Sequence, residues 1–149
     1  MHRVNKRVLV TGAGGFIGSH LCQGLIDAGA EVRAFVRYNS RGDRGMLDRL
    51  PSAYRDSIEV HAGDLKDPEA VRTAARDRDL IFHLGAIISI PSSYVNPFDH
   101  VQTNTVATAN VLNAARHWNV ERVVHTSTSE VYGTAQYAPI DEDHPLRPQ

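Results

Sequence analysis

The chain is 149 residues long with a formal net charge of −1, one domain's worth of polypeptide with enough apolar material to fold without disulfide or metal staples. Nearly cancelling charges exclude a field that would gather nucleic acid or an anionic membrane surface, so an anionic ligand has to be held locally. Cys22 is the single cysteine, which excludes an internal disulfide and fits a reducing compartment.

The opening segment MHRVNKRVLVTG carries basic residues, but its apolar run is short before glycine interrupts it. It is too short for a signal-peptide core or a membrane span, and the expectation is a cytoplasmic protein. Apolar runs of strand length fall at residues 7–11, 31–36, 58–62, 80–84 and 122–127, with helical periodicity between them. The first helix carries Ile17, Leu21, Leu25 and Ala28 on one stripe and ends at Gly29. Asp67, Pro68 and Glu69 read as an N-cap, a first-turn proline and an early acid, opening a helix that runs through Ala75. The longest helix spans residues 98–118, with Val101, Thr105, Thr108, Leu112 and Ala115 as its buried stripe. Five strands alternating with helices specify an α/β fold, a Rossmann-type doubly wound parallel sheet with helices on both faces, over a single domain of residues 1–149.

Ligands in such folds sit beyond the carboxyl ends of the strands. Gly12, Gly15 and Gly18 follow the first strand; Arg37 and Tyr38 the second; Gly63 and Asp64 the third; Gly85 and Ala86 the fourth; Thr128, Ser129 and Glu130 the fifth. A strand that breaks into three spaced glycines and opens a helix lets a pyrophosphate approach the backbone in front of the helix N-terminus. That pattern points to a dinucleotide.

Taken together, TGAGGFIGSHL, GDLKD, FHLGA, Asn104 and TSTSEVYG resemble the extended short-chain dehydrogenase/reductase family, the nucleotide-sugar epimerases and dehydratases, over residues 7–149. The resemblance implies a nicotinamide cofactor held by Gly12, Gly15, Phe16, Ile17 and Gly18, with Asp64 and Leu65 beside the adenine and Gly85 and Ala86 leaving room for it to pass. It counts Asn104 with this site, as an inward-pointing hydrogen-bonder on the face of Val101 and Thr108. It also implies a homodimer in the full-length protein. The second strand departs from the commonest pattern, an acid that accepts from the adenosine ribose of NAD. Arg37, with Ser40 and Arg41 behind it, suits a 2′-phosphate instead, which favours NADP over NAD.

The Thr128, Ser129, Glu130 triplet is similar to that of nucleotide-sugar 4,6-dehydratases, among them those acting on nucleotide-linked N-acetylglucosamine and on GDP-mannose. In that resemblance Thr128 bonds the C4 oxygen, Glu130 removes the C5 proton, and Ser129 stands where some relatives have an acid. The resemblance implies a nucleotide-diphosphate sugar as substrate, with Ser89, Ser92, Ser93 and Tyr94, in the loop after the fourth strand, as the residues here that would touch it. UDP-glucuronate decarboxylases share the triplet, and the motifs also admit an epimerase or a non-catalytic dinucleotide-binding module. The family's Tyr-x-x-x-Lys pair has no match here: Gln136 lies four residues after Tyr132, Asp141 four after Tyr137, and Lys66 is the last lysine. The expectation is the N-terminal half of a longer enzyme, inactive alone. His61, His83 and His125 fall on separate strands and no histidine pair has metal-ligand spacing, so no metal is expected. Asp141, Glu142 and Asp143 read as a solvated cluster, and Trp118 as core or rim packing.

Overall fold

The structure, a computed structural model, describes residues 5–148; the opening residues considered above for a leader lie partly outside that range. Strands β1 (Arg7–Thr11), β2 (Glu31–Arg37), β3 (Glu59–Gly63), β4 (Leu80–His83) and β5 (Arg122–His125) form one parallel sheet in the order β3-β2-β1-β4-β5. The sheet is the one expected, with boundaries differing by one or two residues at the ends of β2 to β5, where ladders fray.

Alternation along β1 supplies both faces of the core. Val8 and Val10 join Cys22 of α1 (Phe16–Asp27) and Val32 and Ala34 of β2 on one side. Leu9 joins Ile81 of β4, Val71 and Ala74 of α3 (Pro68–Ala75), and Val111 and Ala114 of α6 (Ala107–His117) on the other. Fully burying a side chain such as Leu9 or Ile81 stabilises by about 2 kcal/mol. Burial also pushes the Cys22 thiol up to about 12. Trp118 packs at the margin of the second cluster and donates its indole N–H to the Arg72 carbonyl at 2.8 Å.

The helix signals act as their chemistry requires. The Asp67 carboxylate accepts from the Glu69 N–H at 2.9 Å and the Ala70 N–H at 3.3 Å, with Pro68 in the first turn of α3. Gly29, at φ 87°, closes α1, and the next N–H, that of Ala30, reaches the Leu25 carbonyl at 2.9 Å.

Two buried stripes differ from expectation. In α1 Leu21 and Leu25 pack against the first cluster as expected, but the fully buried residues are Gly18, Ser19 and Cys22, and Ile17 is 66 % exposed. The helix approaches its own glycine turn so closely that a Cβ on Gly18 would overlap the Gly12 carbonyl, and only small residues fit there. The long helix is not one regular helix: α5 (Pro97–His100) leads into a π-helical turn (Val101–Val106) and then α6. Hydrogen bonding to the fifth residue advances the phase. Ala107, Val111, Ala114 and Ala115 therefore face the sheet, Thr108 is half-buried, and Val101, Thr105 and Leu112 point outward. Among the described residues no helix is long and apolar enough to cross a membrane.

One ion pair ties the start of β1 to the start of β4. The Arg7 guanidinium reaches Asp79 at 2.8 Å and the Arg7 N–H reaches it at 2.7 Å, holding the carboxyl at about 2. A depressed carboxyl stabilises the fold above its unfolded value, near 3.9, and loses that contribution as pH falls through the folded value. Asp79→Asn should lower Tm at neutral pH by no more than about 3 °C, since water screens a partly exposed pair. In acid melts its Tm should converge on that of the wild type between about pH 4 and about 2.

Candidate functional site

The connections run from β1 to β2 and β3 in one direction and to β4 and β5 in the other, so the loops after β1 and β4 diverge. There, over the carboxyl ends, lies a cavity of about 460 Å³. Gly12, Gly15, Arg37, Asp64, Leu65, Gly85 and Ala86 all line it, in keeping with the sequence motifs. Gly12 sits at φ +68°, and a Cβ there would come within 2.8 Å of the Gly85 nitrogen. The turn after β1 thus touches the loop after β4 backbone to backbone. Gly15, extended at φ −78°, ψ 173°, caps α1 without any side-chain acceptor, so first-turn N–H groups are left for a ligand.

Each rim is tied down. After β3, Asp64 accepts from the Lys66 N–H at 2.9 Å, and the Lys66 ammonium bonds Asp99 at 2.9 Å. That bond raises the pKa of Lys66 and lowers that of Asp99. Asn110 of α6 donates to the Leu65 carbonyl at 3.0 Å and the Lys66 carbonyl at 3.3 Å, and Leu65 fills the space beside Gly85 that a Cβ would need. After β2, Asn39 Oδ1 accepts from the N–H groups of Arg41 and Asp43 at 3.1 and 3.0 Å, while its amide N–H donates to the Asp43 carbonyl at 2.7 Å. The loop then returns to the glycine turn, where the Met46 N–H donates to the Gly14 carbonyl at 2.8 Å.

This return brings Asn39, Asp43, Arg44 and Gly45 to the cavity, none of which the motifs single out. Gly42 and Gly45, both at positive φ in a polar stretch, are the available signal of a reversal. Ser40 and Arg41, expected beside Arg37, stand outside the lining, and Arg44 occupies that rim with its guanidinium bonded to Asp48 at 2.6 Å. Arg37 makes no ion pair among the described residues.

The remaining expected site residues lie outside the cavity lining. Phe16, 68 % exposed, and Ile17 stand at the start of α1, and Gly18 is buried beneath the turn. Asn104 is exposed rather than inward-pointing, because the π turn rotates it away from the sheet. Its amide accepts from the Ile87 N–H at 2.8 Å and donates to the Ile87 carbonyl at 2.9 Å, so it holds the loop after β4 at the edge of the cavity, the hydrogen-bonding role expected of it. Ser89 caps α4 (Ile90–Val95) by accepting from the Ser92 N–H at 3.4 Å, and Tyr94 is 84 % exposed. Thr128, Ser129 and Glu130 are exposed in and before a 3-10 turn (Ser129–Tyr132) beyond β5, at the same end of the sheet. There Thr128 Oγ1 accepts from the Glu130 N–H at 3.3 Å.

The family model described as GDP-mannose 4,6 dehydratase matches residues 9–149. The UDP-glucose 4-epimerase of Azospirillum brasilense is 33 % identical over 146 residues, covering 97 % of this chain and 40 % of that protein. The UDP-glucose 4-epimerase of Mycolicibacterium smegmatis is 38 % identical over 145 residues, 95 % of this chain and 45 % of that one. Among solved structures, the UDP-N-acetylglucosamine 4-epimerase from Methanobrevibacter ruminantium M1 in complex with UDP-N-acetylmuramic acid superposes with a TM-score of 0.79 at 31 % identity, over 97 % of this chain and 44 % of that one. The UDP-glucose 4-epimerase from Bifidobacterium longum in complex with NAD+ and UDP does so with a TM-score of 0.81 at 25 % identity, over 95 % and 42 %. The chain thus spans less than half the length of each of these relatives. With the glycine turn, the parallel sheet and a match over nearly all its residues, the chain belongs to the GDP-mannose 4,6 dehydratase family, among the nucleotide-sugar epimerases and dehydratases of the extended short-chain dehydrogenase/reductase type.

Proposed function

We propose that the chain binds a nicotinamide dinucleotide across the end of β1 and forms the N-terminal, cofactor-binding portion of a nucleotide-sugar 4,6-dehydratase. The cavity carries this reading: its floor is glycine backbone, and the helix above it begins without a side-chain cap. The backbone of Gly12, Gly15, Phe16, Ile17 and Gly18 would hold the pyrophosphate, Asp64 and Leu65 the adenine, with Gly85 and Ala86 leaving clearance. Similar proteins support it, one of them bound to NAD+ and UDP. When bound, the dinucleotide supplies the oxidant for sugar C4 and later returns the same reducing equivalent.

This chain's own residues orient the sugar and carry out the elimination. Thr128 Oγ1 already accepts from the Glu130 N–H, which leaves its proton to donate to the C4 oxygen. A ketone at C4 acidifies the C5 proton; the Glu130 carboxylate takes it and passes it to the C6 oxygen as the C6–O bond breaks, so that water is released and a C5–C6 double bond remains. Ser129 bonds the departing oxygen, and Ser89, Ser92 and Tyr94 face the sugar. The base for the C4 hydroxyl belongs to the further length that the relatives have beyond the match.

The complete protein, given NADP or NAD with UDP- and GDP-linked hexoses, should yield a 4-keto-6-deoxy sugar nucleotide, read as loss of water by mass spectrometry. Epimerisation without change of mass would favour the activity named for the relatives above. Loss of carbon dioxide from UDP-glucuronate would favour the decarboxylase, and binding without turnover a dinucleotide-binding module. For the cofactor we propose NADP over NAD, since the Arg37 guanidinium at the cavity edge has no ion-pair partner among the described residues. Arg37→Ala should raise the Kd for NADP roughly ten- to thirty-fold, the scale of one lost charge-assisted contact, with little change for NAD. Equal losses in isothermal titrations would overturn that preference.

A further inference from the structure

The ring of His83 is 2 % exposed at the end of β4, and its polar neighbours come from the elements that border the cavity. Nδ1 lies 2.7 Å from Thr11 Oγ1 of β1, and Nε2 lies 3.0 Å from Thr108 Oγ1 of α6. The Thr108 hydroxyl donates to the Asn104 carbonyl at 2.7 Å, and the Gly85 N–H donates to Thr11 Oγ1 at 3.1 Å. A hydroxyl has one proton to give. Thr108 gives its own to Asn104, so Nε2 carries hydrogen and donates to Thr108. Thr11, which accepts from Gly85, gives its proton to the bare Nδ1. The donors therefore run one way, from Gly85 through Thr11, His83 and Thr108 to Asn104. Asn104 in turn grips both backbone groups of Ile87. The strip Gly85, Ala86, Ile87 is held at both ends by one chain of hydrogen bonds.

We infer that His83 is a positioning residue for the dinucleotide site: as a neutral Nε2–H tautomer it fixes the Gly85–Ile87 strip against β1 and α6. The role rests on reading the cavity as that site. An imidazolium does not fit, because both nitrogens would donate and the Thr11 proton would lose its acceptor. Burial, with the His125 ring stacked 5.2 Å away, pushes the pKa down to about 4 and keeps the ring neutral. A glutamine, with one acceptor and one donor group, can stand in; a leucine leaves the buried Thr11 proton without an acceptor and takes from Thr108 Oγ1 the donor it accepts from.

The test titrates wild type, His83→Leu, His83→Gln and Thr108→Val with NAD and with NADP at neutral pH, at a temperature where circular dichroism shows each folded. His83→Leu should weaken binding about ten-fold, Thr108→Val by a few-fold, and His83→Gln should recover most of the loss. Nitrogen-15 spectra of the wild-type ring should show a single neutral Nε2–H tautomer, free and bound. Unchanged affinity in folded His83→Leu, or an Nδ1–H or charged ring at neutral pH, overturns the role. Should His83→Leu fail to fold, unchanged affinity in Thr108→Val overturns it. A wild-type protein that binds neither dinucleotide overturns the reading of the cavity, and the role of His83 with it.

Discussion

Glu130→Gln should slow elimination about a thousand-fold in the complete protein, the scale on which a positioned general base acts, while leaving dinucleotide affinity as it was. The amide keeps the shape of the side chain and cannot take the C5 proton. Affinity is spared because Glu130 lies outside the cavity lining, on the turn beyond β5. The two effects separate in a single assay run in heavy water: the variant should still oxidise C4, yet neither incorporate deuterium at C5 nor lose water from C6. Elimination at the wild-type rate would remove Glu130 from the mechanism and return the choice between dehydratase and epimerase to the rest of the site.

Gly12→Ala should damage both the fold and the ligand site. The residue sits at φ +68°, where an L side chain costs about 1–2 kcal/mol, and its Cβ would stand 2.8 Å from the Gly85 nitrogen and the Leu84 carbonyl carbon. These are backbone atoms of the neighbouring loop and cannot swing aside as a side-chain tip would. Strain and displacement together should lower Tm by about 10 °C and abolish dinucleotide binding measured by calorimetry. Gly24→Ala is the control. A Cβ there meets nothing within 4 Å on the open side of α1, and removing a helical glycine should raise stability by about 0.5–1 kcal/mol. If Gly12→Ala binds like wild type, the turn does not hold the ligand.

These residues mark how far the sequence can be read. The β1 alternation, the glycine turn and the Asp67 cap are local patterns, each set by a few adjacent residues, and each forms as its chemistry requires. The inward stripe of the long helix departs from its periodicity because a 3.6-residue period cannot register a π turn, which shifts every later residue around the axis. Asn39, Asp43 and Arg44 leave no such mark, because their place depends on Met46 meeting Gly14, a contact between segments some thirty residues apart. The sequence shows His83 as part of the FHLGA motif and as no metal ligand, and gives its ring no role. Its partners Thr11 and Thr108 lie on separate elements and become neighbours once the sheet assembles.

Asn104 and Asn110 belong to one continuous helical segment, yet each grasps a different loop, the first at Ile87 and the second at Leu65 and Lys66. The two banks of the cleft therefore share a single mount. They cannot flap independently: displacing that rod along its axis carries both together, so gape at one lip is coupled mechanically to gape at the other, as in tweezers joined at the handle.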